Sequence, residues 1–344
     1  MEKRIRSLDL LRAVAILLVI LAHTVLSYGA PKYLAPLRFG GTGVDLFFVL
    51  SGWLLGSLLF REAGRDGGID VRRFWARRWM RTLPAYYVVL FFTIGQRYLT
   101  KENVEFPWEY LFFLQNYDFP LSFFTVSWSL CVEEQFYLVI APLLAVLTCL
   151  TRRVTTVILL IMLFAPFLFR HMGWYWNSTL ETHVSIDGCV VGVFLAHIHH
   201  QYQTVWNRMA TYAPPLAVVS VLCYLLFFVG RYYPSLGIRD PDKLVLAVLF
   251  ASWVMAANAN SQWINGLYVP GAHYIATRSY ALYLLHPDML ALLRRFLGPV
   301  PFAVYFFLAL TGSLLLAEIL YRCIEKPVMD AREKFSFSSG NKRG

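Results

Sequence analysis

Charged residues are scarce in this sequence. Asp, Glu, Lys and Arg make up only 15% of the 344 residues, whereas hydrophobic residues make up 58%, and a soluble domain carries about 25% charged residues. The hydrophobic residues occur in runs of roughly 16–24, the length at which a helix crosses about 30 Å of hydrocarbon. This composition excludes an ordinary soluble domain and predicts an integral membrane protein.

Cysteine is also rare and follows no pattern. Five cysteines lie apart in hydrophobic segments, without the paired spacing of a zinc site, and we interpret them as packing residues. The sequence lacks G-x-x-x-x-G-K-S/T, G-x-S-x-G and H-E-x-x-H, so nothing supports nucleotide hydrolysis, serine hydrolase or zincin chemistry. The run HIHH at 197–200 has no carboxylate or cysteine at ligand spacing, and no metal site is predicted.

Ten hydrophobic runs predict about ten transmembrane helices in an all-α fold. The runs lie near residues 8–28, 43–60, 83–98, 125–149, 154–169, 184–198, 214–230, 243–259, 272–293 and 300–323. The segment 108–120 is too short to cross and is predicted to be interfacial or re-entrant. We expect one membrane domain over residues 1–328 and a polar tail over 329–344. The first run is too long for a signal-peptide core, so we expect it to be retained.

Lys and Arg residues between the runs predict the orientation of the chain. The formal net charge is +10, but the basic residues lie in short loops rather than on one soluble face, which argues against a nucleic-acid partner. With a cytoplasmic N-terminus, about 18 Lys and Arg residues fall on the cytoplasmic side and about 8 on the other. Cytoplasmic loops carry the excess of positive charge, so both termini are predicted to be cytoplasmic.

The first predicted helix carries Asp9, Arg12 and His23 within its hydrophobic run. A charged side chain in a membrane costs free energy, so each of these groups needs a partner or a function. Arg12 and His23 are separated by about 20° around the helix and roughly 16 Å along it. Arg12 could hold an extended cofactor whose reactive end reaches His23. Alternatively, Arg12 pairs with Asp9 and His23 is bonded inside the bundle.

Asp45 lies near the start of the second predicted helix, at a depth similar to that of His23 on the first. A carboxylate beside an imidazole fixes its tautomer and raises its basicity, which suits a general base. Asp45 is therefore a candidate catalytic partner of His23, with a purely structural role as the alternative.

The fourth predicted helix contains two adjacent carboxylates, Glu133 and Glu134. Ser129, Glu133 and Tyr137 recur every four residues and therefore share one face of the helix. Adjacent helical residues point in different directions, so only one carboxylate is expected in a central site. Glu133 is the preferred candidate because hydroxyl groups accompany it.

Arginines are concentrated just before the third predicted helix. They are Arg72, Arg73, Arg77, Arg78 and Arg81. Positive-inside anchoring alone explains some of them. Guanidinium clusters at a helix start also bind phosphate groups, and this becomes the better explanation if a nucleotide cofactor is indicated independently.

Six strings follow one another along the chain: RIRSLDLLRAVAILLVILAHT, GVDLFFVLSGWLL, FWARRWMRTLPAYY, SWSLCVEEQFYL, SYALYLLHP and IEKPV. Together they resemble the motif series of the acyltransferase-3 family of membrane-bound O-acyltransferases, over about residues 5–328. The resemblance implies a ten-helix fold. It also implies transfer of an acyl group, usually acetyl, from cytoplasmic acyl-CoA to a hydroxyl of a saccharide or other metabolite.

The resemblance assigns roles to individual residues. The catalytic histidine of the family corresponds to His23, and its motif partner to Arg12. The remaining motif positions correspond to Arg78, Arg81, Ser129, Glu133 and Tyr137. We therefore expect the phosphates of acyl-CoA, usually acetyl-CoA in this family, near Arg77, Arg78 and Arg81. Direct transfer with His23 as general base, oriented by Asp45 or Glu133, and two-step transfer through an acyl-histidine both stay open.

Three features depart from the family pattern. Trp53 stands where Phe or Tyr is common, and His183 precedes Asp187 where many members have an arginine. The sequence stops about twenty residues after the last predicted helix, whereas many members continue into an extracytoplasmic SGNH domain. We therefore expect a stand-alone member in a bacterial cytoplasmic membrane. The acceptor stays open among cell-surface polysaccharides, lipid-linked glycans and small metabolites.

Two other classes of function fit parts of the pattern. A transporter of a saccharide or small acid would use the buried charges as a proton relay, but it leaves the arginine cluster unexplained and no inverted repeat is apparent. A structural subunit would lose no function when His23 and Glu133 are replaced. Acyl-CoA binding with release of free thiol would distinguish the enzyme from the transporter.

Overall fold

The computed structural model describes residues 5–100, 105–121, 123–259 and 269–332. Within these ranges the chain forms helices and no β-strand, which confirms the all-α prediction. Ten helices of 15 residues or more are described, one at each predicted run. They are α1 (Arg6–Ser27), α2 (Gly43–Asp66), α3 (Val71–Thr100), α4 (Trp128–Leu147), α5 (Arg152–Met172), α6 (Asp187–Gln201), α7 (Gln203–Tyr232), α8 (Lys243–Asn258), α9 (Ala272–Phe296) and α10 (Phe302–Leu320).

Six segments of the described chain are long and hydrophobic enough to cross a bilayer, and they contain α1, α2, α4, α5, α7 and α10. Helices α6 and α8 have only 15 and 16 residues, and α3 and α9 each carry several arginines. The chain is therefore a membrane protein, whereas ten crossings and two cytoplasmic termini stay predictions. The predicted polar tail lies outside the described residues from position 333 onward, as do Lys3 and Arg4.

The segment between α3 and α4 folds into short pieces. It contains a helix at Trp108–Leu111 and a 3-10 turn at Gln115–Tyr117. The Tyr86 hydroxyl on α3 donates to the Tyr110 carbonyl at 2.8 Å and so ties this segment to the bundle. As expected for the run 108–120, no helix in its described part is long enough to cross a bilayer.

Helices α2 and α6 approach each other at glycines. A Cβ atom on Gly52 would lie 2.0 Å from the carbonyl oxygen of Cys189, and one on Gly192 would lie 2.3 Å from a carbonyl oxygen of α2. Gly56 and Gly188 extend the contact one turn in each direction. Small residues drive helix association in lipid because they let backbones pack closely. This contact fixes the rotation of α2, and with it the side chains that α2 turns toward the bundle centre.

A buried ion network joins the C-terminal end of α5 to the N-terminal ends of α6 and α8. The Arg170 guanidinium, 7% exposed, donates to Asp187 Oδ2 at 2.7 Å and to Asp242 Oδ1 at 2.6 Å. It also donates to the Val184 carbonyl at 2.6 Å. The carboxylate of Asp187 is only 1% exposed, so removing its cation would leave a buried charge without compensation.

We expect Gly52→Ala to lower the free energy of unfolding by about 1–3 kcal/mol, because the added methyl group overlaps the backbone of α6. The control is Gly95→Ala on α3, where a Cβ atom meets nothing within 4 Å. Thermal unfolding of both variants in detergent provides the comparison. Equal stability of the two variants would show that α2 and α6 do not pack at this distance.

Arg170→Ala is expected to destabilise the protein by about 3–5 kcal/mol, since it leaves two carboxylates of the buried network without their cation. Arg231→Ala provides a matched control. Arg231 also pairs with a carboxylate, that of Asp240, but the two side chains are 32% and 57% exposed. The control is therefore expected to cost at most about 1 kcal/mol. Similar melting temperatures for the two variants would contradict a stabilising role of the network.

Candidate active site

A central cavity lies among α1, α2, α3, α4 and α9. The polar side chains of its wall come from all five helices. They are Arg12, Ser51, Arg78, Arg81, Thr82, Ser129, Glu133, Ser279, Tyr280 and Tyr283. The structure thus brings five of the predicted site residues together on one wall, and these are Arg12, Arg78, Arg81, Ser129 and Glu133.

Arg78 is held by two groups from α4. Its Nη2 donates to the Tyr137 hydroxyl at 2.8 Å and lies 3.5 Å from Glu133 Oε2. The guanidinium carbon lies 4.2 Å from the centre of the Tyr137 ring. On the other side of the carboxylate, the Ser51 hydroxyl donates to Glu133 Oε1 at 2.7 Å. Arg78 is therefore neutralised within the protein, and Tyr137 supports it from behind the wall.

The two adjacent carboxylates of α4 have different surroundings. Glu133 lies on the cavity wall, whereas Glu134 is not among the wall residues and is only 6% exposed. Glu134 Oε2 has no hydrogen-bond partner among the described residues. The cavity carboxylate is therefore Glu133, the candidate preferred from the sequence. Its bonds go to Ser51 and Arg78 rather than to His23.

A second, basic cavity adjoins the first, and we call it the vestibule. The two cavities share Leu55, Arg78 and Arg81. Seven arginines and two carboxylates line the vestibule: Arg61, Arg65, Arg73, Arg77, Arg78, Arg81, Arg332, Glu62 and Asp66. Arg77 thus lies in the vestibule and not on the inner wall. The vestibule beside the central cavity therefore carries an excess of positive charge.

Arg81 differs from Arg78, although both belong to the same R-x-x-R motif. Its side chain is exposed to the space of the cavities, and among the described residues it forms no hydrogen bond or ion pair. Glu325 acts on it only electrostatically. Glu325 is 7% exposed, lies on a π-helical turn at Tyr321–Glu325 and has an Oε1 atom without a described hydrogen-bond partner. Arg81 is therefore available to an anion.

His23 faces α9. Its Nδ1 lies 2.8 Å from Nε2 of His286, and the two rings are inclined by only 13°. His286 is fully buried, and its ring centre lies 5.8 Å from that of the wall residue Tyr283. The histidine pair thus lies beside the cavity, behind Tyr283. Arg12 lines the cavity and also lies 3.9 Å from Asp9. The two alternatives considered for Arg12, a place in the site and an ion pair with Asp9, are therefore compatible.

The predicted contact between Asp45 and His23 is wrong. Asp45 interacts electrostatically with Lys243, Asp187 and Arg170, and His23 is bonded to His286 instead. The packing of α2 on α6 turns Asp45 toward the ion network. The same network gives Asp187 an arginine partner, Arg170 of α5, although His183 stands where the family resemblance led us to expect an arginine.

Within the part of the chain that the structure describes, no group of three or more His, Cys, Asp or Glu side chains could hold a metal ion. The run HIHH packs against aromatic rings instead. His197 Nε2 lies 2.9 Å from the Thr156 hydroxyl. The His199 ring contacts those of Trp53 and Trp206, which stack on each other at 5.4 Å. Trp53 therefore serves local packing.

Sequence reasoning missed Ser51, His286 and Glu325 as site residues. Each was present in a recognised string, GVDLFFVLSGWLL, SYALYLLHP or IEKPV. The signal that could have found them is a polar side chain inside a hydrophobic run, the same signal that identified His23.

Comparison with known proteins gives a consistent result. A Staphylococcus aureus (strain COL) protein named "Putative O-acetyltransferase" is 28% identical, over 94% of this chain and 57% of its own length. The Listeria monocytogenes protein named peptidoglycan O-acetyltransferase OatA is 25% identical, over 95% of this chain and 56% of its own length. The chain thus spans little more than half the length of these relatives. No solved structure matches it.

A family model described as an acyltransferase domain matches residues 5–322. This range contains the central cavity, most of the vestibule and the histidine pair. The match confirms the resemblance seen in the motif strings, and the chain belongs to the acyltransferase-3 family.

Proposed function

We propose that the protein is a membrane-embedded O-acyltransferase, which moves an acyl group, most simply acetyl, from cytoplasmic acyl-CoA to a hydroxyl of a saccharide or other metabolite. The observation that carries the proposal is the adjacency of two cavities and a histidine pair. A vestibule with seven arginines shares three lining residues with the central cavity, and the wall residue Tyr283 lies against the histidine pair. The names of the relatives, O-acetyltransferases, support the reaction class.

The vestibule suits the phosphates of acyl-CoA. Guanidinium groups bind phosphates through paired hydrogen bonds, and they strengthen one another's field when several line one cleft. Arg77 and Arg81 are the candidate ligands, because Arg78 is already bonded to Glu133 and Tyr137. In this proposal Arg78 fixes the wall between vestibule and cavity, which modifies the role expected from the sequence.

The central cavity suits the acyl-pantetheine arm. Hydrophobic side chains such as Phe47, Leu54 and Leu55 form much of its wall, and they offer an apolar path between the charged groups. Arg12 lies on this wall, and His23 is roughly 16 Å further along the same helix. The thioester end would then approach the histidine pair while the phosphates stay with the arginines.

In the proposed reaction, His23 acts as the general base. The acceptor oxygen attacks the thioester carbonyl carbon while its proton passes to His23. The carbon–sulfur bond then breaks, and the leaving thiolate takes the proton from His23. Arg12, roughly 16 Å from His23 along α1, is placed to hold the pantetheine arm rather than the reacting carbonyl. Transfer through an acyl-histidine is the competing route. In that route, incubation with a labelled acyl donor but no acceptor would leave a labelled acyl-enzyme.

A saccharide is the proposed acceptor class. Two relatives are named as acting on peptidoglycan, whose sugars carry free hydroxyls. We place the protein in a bacterial cytoplasmic membrane, with about ten crossings and both termini in the cytoplasm. Donor and acceptor would then meet in the cavity from opposite faces.

His23→Ala is expected to lower acyl transfer on the order of 10²–10⁴-fold, the range for loss of a general base. The measurement is release of free thiol from acetyl-CoA by purified protein with a saccharide acceptor. The control is His171→Ala, because His171 lies at the end of α5 and bonds only to the Phe167 carbonyl. Undiminished turnover in His23→Ala refutes the proposal. Saccharide flux in liposomes without thiol release would favour a transporter.

Arg81→Ala is expected to raise KM for acetyl-CoA about 10-fold or more, because one hydrogen bond to a charged group contributes about 1.5–3 kcal/mol. Arg72→Ala provides the matched control, since Arg72 lies on the same helix but lines neither cavity. Arg78→Ala is expected to lower kcat and stability instead. Equal KM values for the Arg81 and Arg72 variants would exclude Arg81 as a phosphate ligand.

A further inference from the structure

We infer that His286 is a positioning residue, which fixes the proton of His23 on Nδ1 and leaves Nε2 as the only basic nitrogen of the pair. The inference rests on the proposed function for its kinetic consequence. The protonation pattern itself follows from hydrogen-bond geometry. It concerns His286, a residue that touches neither donor nor acceptor in the proposed reaction.

The argument starts at a backbone carbonyl. His286 Nδ1 lies 3.0 Å from the carbonyl oxygen of Leu282, one turn earlier on α9. A carbonyl oxygen only accepts hydrogen bonds. The hydrogen of this bond must therefore belong to His286 Nδ1.

The protonation state of the second nitrogen of His286, Nε2, follows from the burial of the ring. The ring is fully buried, and no carboxylate forms an ion pair with it among the described residues. A buried charge without a partner is strongly disfavoured, so the ring is neutral and carries one hydrogen. That hydrogen is on Nδ1, and Nε2 is an acceptor.

The bond between the two histidines then has one possible direction. His286 Nε2 accepts, so His23 Nδ1, at 2.8 Å, must donate. His23 Nε2 is left with its lone pair, and no described residue bonds to it.

The arrangement also determines where the transferred proton can go. When the acceptor proton reaches His23 Nε2, the imidazolium is stabilised through its Nδ1–H bond to His286, a charge-assisted hydrogen bond. The chain of bonds ends at the Leu282 carbonyl, which cannot take up a proton. The proton therefore stays on the pair until the leaving thiolate removes it from Nε2.

Two variants of His286 test the role. His286→Phe removes the acceptor for His23 Nδ1, whereas His286→Gln retains one in its side-chain oxygen. We expect His286→Phe to lower kcat on the order of 100-fold, within the range for general-base catalysis, with KM for acetyl-CoA changed less than about twofold. His286→Gln is expected to recover a large part of kcat. Wild-type kcat in His286→Phe, or equal losses in two folded variants, would overturn the inference.

Nitrogen-15 NMR of histidine-labelled protein in detergent gives a test that does not depend on activity. The chain contains eight histidines, and the difference from a His23→Gln sample assigns the His23 signals. A protonated Nδ1 and a bare Nε2 at His23 are expected in the wild type, with a mixture of tautomers in His286→Phe. A proton on Nε2 of wild-type His23 refutes the inference, even if the protein proves not to be an acyltransferase.

Discussion

Hydrocarbon cannot solvate charge, and this constraint governs where the polar side chains of the chain lie. Each charge placed in an apolar helix must find a partner inside the protein or contact water in a cavity. Arg170 satisfies the rule with two carboxylates and a carbonyl, and Arg78 satisfies it with Glu133 and Tyr137. These partners come from different helices. The internal pairing of charge therefore holds the bundle together and also shapes its cavities.

The same constraint makes the exceptions informative. Arg81 lies one turn from Arg78 on the same helix, yet it points into the shared space of the two cavities without a hydrogen-bonded partner in the described part of the chain. A motif of two arginines thus has two different surroundings. One arginine is bonded within the protein and the other is not, and only the partners on α4 distinguish them.

Sequence reasoning located the helices well because length and hydropathy are local properties. It also placed Ser129, Glu133 and Tyr137 on one face, since helical periodicity determines this. The rotation of one helix against another is not local. It depends on contacts such as that of Gly52 with Cys189, and for this reason Asp45 faces the ion network rather than His23.

The partner of His23 illustrates the same limit, because 263 residues separate it from His286. A carboxylate was the natural expectation, since it stabilises an imidazolium by direct charge attraction. In a membrane, however, burying a carboxylate costs free energy of desolvation, and no opposite charge compensates this cost while the histidine is neutral. A neutral histidine accepts the same Nδ1–H bond without adding a charge to the resting site. In the proposed mechanism the pair therefore carries a net charge only while a proton is in transit, which suits a base that works within hydrocarbon.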